Sequence, residues 1–88
     1  MTAPSAEARE LAAAIRDALH VPSADTSAPG AEYAEDMLRL KRVGYVRGVL
    51  GGLANGTCGV VDTVHTIREA TVEFPVTYPV RQKAGVAS

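Results

Sequence analysis

The hydrophobic and polar positions of residues 5–20 repeat with the period of a helix. Apolar residues recur at spacings of three and four, namely Ala8, Leu11, Ala12, Ile15, Ala18 and Leu19. Charged residues occupy the opposite side, and either Thr2 or Ser5 can cap the N-terminus. We therefore predict a first amphipathic helix over residues 5–20 with a narrow apolar face.

Residues 21–30, VPSADTSAPG, form a loop by composition. A second helix is predicted over residues 31–54, with acidic residues in its first turns, a Glu35 and Arg39 pair, and Asn55-Gly56 as its left-handed C-terminal cap. Ten residues is a long connection between two helices. We therefore expect the first helix to dock loosely or to dock onto a different subunit.

The predicted second helix contains glycine at regular intervals. Its bulky apolar residues lie on one side of the second half, whereas Tyr33, Met37 and Leu40 form a stripe that continues as Gly44, Gly48, Gly51 and Gly52. Each interior glycine costs about 1 kcal/mol relative to alanine, so we expect another helix to approach closely. Three arrangements are open: packing against the first helix, a symmetric crossing with another copy, or a helix broken at Gly51-Gly52.

The pattern of residues 58–71 favours a third helix. One face would carry Val60, Val61, Val64, Ile67 and Thr71, and the opposite face Asp62, His65, Thr66 and Glu69. The β-branched residues favour a strand instead, so both structures stay open.

The period changes to two in the C-terminal segment, residues 73–88. Val72, Phe74, Val76, Tyr78 and Val80 alternate with less apolar residues, which predicts an extended arm. Pro75 and Pro79 restrict it to an edge strand or a polyproline-like segment that lies along the helices or along a partner. The predicted fold is thus all-α, a single domain over 1–88 of about three helices with an extended C-terminal arm.

Composition narrows the possible functions. A chain of 88 residues has a thin margin of stability, and with one cysteine and two histidines it lacks the residues for disulfides or a structural metal. Self-association is the remaining support. Residues 43–61 carry only Arg47 as a charge, but their glycines argue against a membrane span. The N-terminus lacks the pattern of a secretory signal, so a cytoplasmic location is expected.

One stripe of polar residues suggests two kinds of chemistry, a zinc site and a nucleophile with its base. Cys58, Asp62, His65 and Glu69 share one side of the third helix and could face zinc, yet a solvated face with a His65 and Glu69 pair explains them more simply. Cys58 and His65 lie two turns apart, about 10 Å, too far for direct proton transfer. We predict no catalytic residues, no metal and no cofactor.

A basic group on the second helix could contact a nucleic-acid backbone without specificity: Arg39, Lys41, Arg42 and Arg47. A net charge of -1 and the absence of tryptophan argue against a general nucleic-acid binder.

The segments AIRDALHVPSADT, RLKRVGYVRGVL and FPVTYPVR resemble small helical proteins encoded by high-GC actinobacteria and their phages. This group has no established activity, so the resemblance transfers no catalytic residues. It implies a helical accessory protein, often phage-borne.

The leading interpretation is a non-enzymatic protein that binds a second copy of itself, as a dimer, or a host protein, or both. The predicted interface combines the second helix with the arm through Gly44, Tyr45, Gly48, Val49, Gly52, Leu53, Phe74, Val76 and Tyr78. A virion or assembly component, in which the arm adds to a neighbouring subunit, is the first alternative. A weak nucleic-acid binder is the second.

Overall fold

A computed structural model describes residues 5–81 of the chain. It contains α1 (Ala6–Leu19), α2 (Ala31–Ala54), α3 (Val60–Arg68) and the single turn α4 (Ala70–Glu73), with no strand in the described range. The all-α prediction with three main helices is confirmed, and the bounds predicted for α2 agree with those observed. Thr2 and residues 82–88 of the predicted arm lie outside the described residues.

The first helix begins where its cap residue predicts. Ser5 has extended backbone geometry, and its Oγ accepts a hydrogen bond from the Ala8 N–H at 3.1 Å, which satisfies one free donor of the first turn. Ala14 and Ala18 are buried on the inner side of α1, which packs against α3 and α2 of the same chain. The ten-residue connection therefore returns α1 to its own chain.

The second helix ends in the left-handed cap that Asn55-Gly56 predicts. Gly56 has φ +78°, a conformation that glycine adopts without steric cost. The Gly56 N–H donates to the Leu53 carbonyl at 3.1 Å and the Thr57 N–H to the Gly52 carbonyl at 2.9 Å, the paired bonds of a Schellman motif. Because α2 is continuous through Gly51 and Gly52, the broken-helix explanation for the glycines is wrong.

The third helix is a helix rather than a strand, but its buried face differs from the predicted one. Thr63, Ile67 and Ala70 are buried, whereas Val61 is 70% exposed and Thr71 is exposed. Thr63 tolerates burial because its Oγ1 donates to the Gly59 carbonyl at 2.7 Å, so its buried hydroxyl has a hydrogen-bond partner. The helix also stops at Arg68, and a separate turn follows instead of a continuation to residue 71.

The buried side chains form two clusters. The first, which we call the helical core, lies where α1, α2 and α3 meet and consists of Ala14, Ala18, Val46, Ile67 and Ala70. The second, the arm core, joins the loop before α2, the first half of α2 and the C-terminal arm, and consists of Val21, Ala24, Ala31, Leu38 and Tyr78. The inner side of α2 thus contributes to both clusters.

Candidate functional site

The inner side of α2 contains a buried arginine. Arg42 is only 4% exposed, and its guanidinium donates to three backbone carbonyls: Nε to Phe74 at 3.0 Å, Nη1 to His20 at 3.2 Å and Nη1 to Ala18 at 3.5 Å. Ala18 and His20 lie at the C-terminal end of α1, where carbonyls lack helical partners and the helix dipole favours a cation. Arg42 therefore connects α1, α2 and the start of the arm.

The arm is docked on the loop that precedes α2. The Asp25 N–H donates to the Pro79 carbonyl at 2.9 Å and the Arg81 N–H to the Ser23 carbonyl at 2.8 Å, forming a single antiparallel bridge between Ala24 and Val80. Proline is compatible with position 79 because its carbonyl accepts a hydrogen bond and the bridge needs no N–H from this residue. The arm lies along its own chain over residues 74–81, in agreement with one of the two predicted arrangements.

Two aromatic residues hold the arm, and they are four residues apart. Tyr78 is buried and its hydroxyl donates to the Pro22 carbonyl at 2.6 Å, while the Phe74 ring meets Tyr45 edge to face with centroids 5.7 Å apart. Burial raises the pKa of the Tyr78 hydroxyl, and Glu35 adds to this increase.

The predicted alternation of apolar residues along the arm is wrong in detail. Val72 is 79% exposed because α4 extends to Glu73, and Val76 and Val80 are also exposed. Only the aromatic residue at the start of each four-residue repeat, FPVT and YPVR, is directed inward.

Glu35 links α2 to the loop. Its Oε1 accepts from the Ala24 N–H at 2.7 Å and its Oε2 from Arg39 Nη2 at 2.6 Å, so the predicted Glu35 and Arg39 pair is confirmed. Both contacts favour the charged carboxylate, and the pKa of Glu35 is lowered by the Ala24 N–H first and by Arg39 second.

The four basic residues predicted for nucleic-acid contact do not form one patch. Arg42 is buried and satisfied by carbonyls, and Arg39 binds Glu35. Lys41 and Arg47 are exposed, but six residues of helix separate them by about 120° around the axis. The predicted backbone-binding cluster is therefore divided among different sides of α2.

The predicted protein interface also divides between the inside and the outside of the fold. Tyr45 and Val49 pack against the helical core. Tyr78 belongs to the arm core and Phe74 packs against it, while Leu53 is half-buried. Gly44, Gly48 and Val76 are exposed. Gly52 has a local role, since a Cβ there would meet Thr57 Oγ1 at 3.3 Å in the turn that closes the helix.

The outer side of α2 has apolar side chains and bare backbone with nothing packed on them. Tyr33 is 70% exposed and Leu40 67% exposed. A Cβ added at Gly44, Gly48 or Gly51 would meet no atom within 4 Å. Packing against α1, the intramolecular explanation of these glycines, is therefore wrong. We call Tyr33, Leu40, Gly44, Gly48 and Gly51 the outer face of α2.

Tyr33 and Leu40 were not among the residues predicted for the interface. The available signal was their position on the glycine stripe, which lies about 120–180° around the helix from Arg42 and Val46. The bulkier residues of the second half of α2 were predicted for the interface instead, but they pack against the helical core.

The predicted contact between His65 and Glu69 is present on the outward side of α3. His65 Nε2 lies 3.1 Å from Glu69 Oε1, and both side chains are exposed. Within residues 5–81, no three His, Cys, Asp or Glu side chains lie close enough together to hold a metal ion.

Comparison with protein-family models, with curated proteins and with solved structures finds no match to this chain. None of the helices in the described range combines the length and the hydropathy needed to cross a bilayer.

Proposed function

We propose that this chain is a non-catalytic binding protein that associates with a second copy of itself through the outer face of α2. The observation that carries the proposal is the empty space beside three interior glycines of a continuous helix, on the same face as exposed Tyr33 and Leu40. Three such glycines cost about 3 kcal/mol relative to alanine, and no contact within the described chain offsets that cost.

Burial on the outer face supplies a driving force for association. Removing a leucine side chain from water contributes about 1.5–3 kcal/mol, and Tyr33 adds a ring with a polar edge that suits an interface. In a two-fold dimer every contact occurs twice, so one Tyr33 and one Leu40 per chain provide four anchors. Glycines let the two backbones approach closely and increase the dispersion contacts.

A wider role follows from the resemblance described above. Small phage-borne helical proteins commonly act by occupying the surface of a host protein, and a cytoplasmic dimer of this chain fits such an accessory role. The alternative of a virion component receives less support, because residues 79–81 of the arm already pair with the loop of their own chain. Nucleic-acid binding receives less support because its basic residues are dispersed.

Light scattering coupled to size exclusion tests the proposal over a hundredfold range of concentration and at two salt levels. We expect a dimer for the natural sequence and a monomer for Tyr33→Ser combined with Leu40→Ser. Val61→Ser is the matched control, because Val61 is as exposed as Tyr33 but lies on α3; it should stay dimeric. A natural sequence that is monomeric throughout the range would overturn the proposal.

A further inference from the structure

Resting on the proposed self-association, we infer that the second copy lies antiparallel on the first, with α2 crossing α2 about a two-fold axis near position 42. Tyr33 then covers the partner's Gly51, and Leu40 covers the partner's Gly44. The side chains that project from the outer face lie in the first half of α2, and the empty positions lie in the second half.

The register follows from the positions of these residues. In a two-fold antiparallel pair, two positions can face each other when they are equally distant from the axis along the helix. Positions 33 and 51 have their midpoint at 42, and positions 40 and 44 have the same midpoint. One axis therefore satisfies both contacts, and each contact occurs twice.

The charges of α2 are distributed with the same antisymmetry. Its acidic residues all lie at positions 32–36, and every charged residue after them is basic. Glu35 pairs with Arg39 within the chain and Arg42 is buried, which leaves Glu32 and Asp36 near one end, Lys41 near the middle and Arg47 toward the other end.

Asp36 and Arg47 fit this register. They are eleven residues apart, close to three full turns, so they lie along the same edge of the outer face. Their midpoint, 41.5, falls on the inferred axis. An antiparallel partner brings Asp36 beside the partner's Arg47 twice, whereas a parallel partner brings like charges together.

This complementarity favours a second copy over an unrelated protein. An unrelated partner would need cavities opposite the first half of the face and projecting side chains opposite the second half. It would also need basic residues opposite the acidic end of α2 and acidic residues opposite the basic end. The outer face supplies all of these to itself when it is reversed. A single two-fold operation therefore matches the shape and the charge of the face.

Distances between spin labels test the direction of the second copy. Labels are attached to single cysteines at Glu32, Lys41 and Asn55, three exposed positions, in a Cys58→Ser background. The rise along a helix is about 1.5 Å per residue. In the antiparallel register, the two labels of a dimer are therefore separated along the direction of the helices by about 30 Å at position 32, about 3 Å at position 41 and about 39 Å at position 55. A parallel dimer gives three similar short distances.

The outcomes separate this inference from the proposed function. Distances that increase from position 41 to 32 to 55 support the antiparallel register. A dimer by light scattering with three similar distances overturns the register and leaves self-association intact. A monomer by light scattering overturns both.

Charge reversal gives a second, independent test. Asp36→Arg should raise the dissociation constant of the dimer about tenfold, and adding Arg47→Asp should restore it to within about twofold of the natural sequence. Glu10→Arg makes the same change of charge at an exposed position of α1 and should leave the dissociation constant of the dimer unchanged. If the double variant is as weak as Asp36→Arg alone, the contact between Asp36 and the partner's Arg47 is overturned.

Discussion

Each side of α2 contains an exception to the usual distribution of polar and apolar residues. The inner side buries a charged residue, Arg42, whereas the outer side leaves Tyr33 and Leu40 exposed. Arg42 is inside because the carbonyl end of α1 and the start of the arm converge on it and supply three acceptors. Tyr33 and Leu40 are outside because no other described element of the chain covers them. What surrounds a position, more than its residue type, decides its burial.

The inner side shows how a charge is held without a carboxylate. Backbone carbonyls carry partial negative charge, and two of those that Arg42 contacts lie at the negative end of the α1 dipole. The planar guanidinium directs several donors at fixed angles, so one side chain reaches acceptors on α1 and on the arm together. Lysine has neither this fork nor this reach.

The largest effect should come from removing the buried guanidinium. Arg42→Met leaves carbonyls of Ala18, His20 and Phe74 without their donor in a largely buried site, and we expect a loss of about 3 kcal/mol in the free energy of unfolding. Denaturant titration at neutral pH measures this loss.

Arg47→Met is the matched control, because Arg47 is exposed on the other side of the same helix. Measured at concentrations below the dimer range, where the proposed contact with the partner's Asp36 is absent, it should change the unfolding free energy of the monomer by less than about 0.5 kcal/mol. Equal effects of the two substitutions would contradict the difference between the two sides of α2. Arg42→Lys should be intermediate, since one ammonium cannot replace all three contacts.

The fold could be predicted from the sequence where local signals decide it. Ser5 and Asn55-Gly56 specify their caps through contacts made within a few residues, and α1 and α2 accordingly begin and end close to the predicted positions. The Glu35 and Arg39 pair is equally local. Such features depend only on neighbours along the chain.

The inner site could not be predicted in this way. Arg42 receives its acceptors from residues between 22 and 32 positions away, so its burial depends on how α1 and the arm pack. Packing also decides that the buried face of α3 includes Thr63, and that only the two aromatic residues of the arm are directed inward. The glycine stripe was visible in the sequence, but only the structure shows that its space is empty.

A smaller effect, opposite in sign, is expected on the outer side. Gly48→Ala should raise the unfolding free energy of the monomer by up to about 1 kcal/mol, because the added methyl group meets no atom within 4 Å and alanine favours the helix. Denaturant titration at concentrations below the dimer range measures this gain.

Gly52→Ala is the control for that gain. It lies in the same helix, but its Cβ would press on Thr57 Oγ1 at 3.3 Å, so we expect a smaller gain or none. Gly48→Leu should keep the monomer folded while weakening the dimer, because its side chain fills space that the partner needs. A Gly48→Ala monomer that is less stable than the natural sequence would contradict an empty outer face.

The smallest effect concerns Glu35, on the boundary between the loop and the inner side. The pKa of Glu35 lies below its ordinary value of 4.5. The stabilisation that the charged Glu35 carboxylate gives the folded chain is therefore complete above pH 4.5 and disappears as the pH falls through the pKa that Glu35 has in the folded state. Glu35→Gln should therefore reduce the loss of stability between about pH 5 and pH 3. Part of the pH-dependent loss that remains in this variant should come from Asp25, because hydrogen bonds from Ser27 lower the pKa of Asp25. Identical pH profiles for the natural and variant chains, measured by denaturant titration, would contradict this role for the Ala24 N–H and Arg39 contacts.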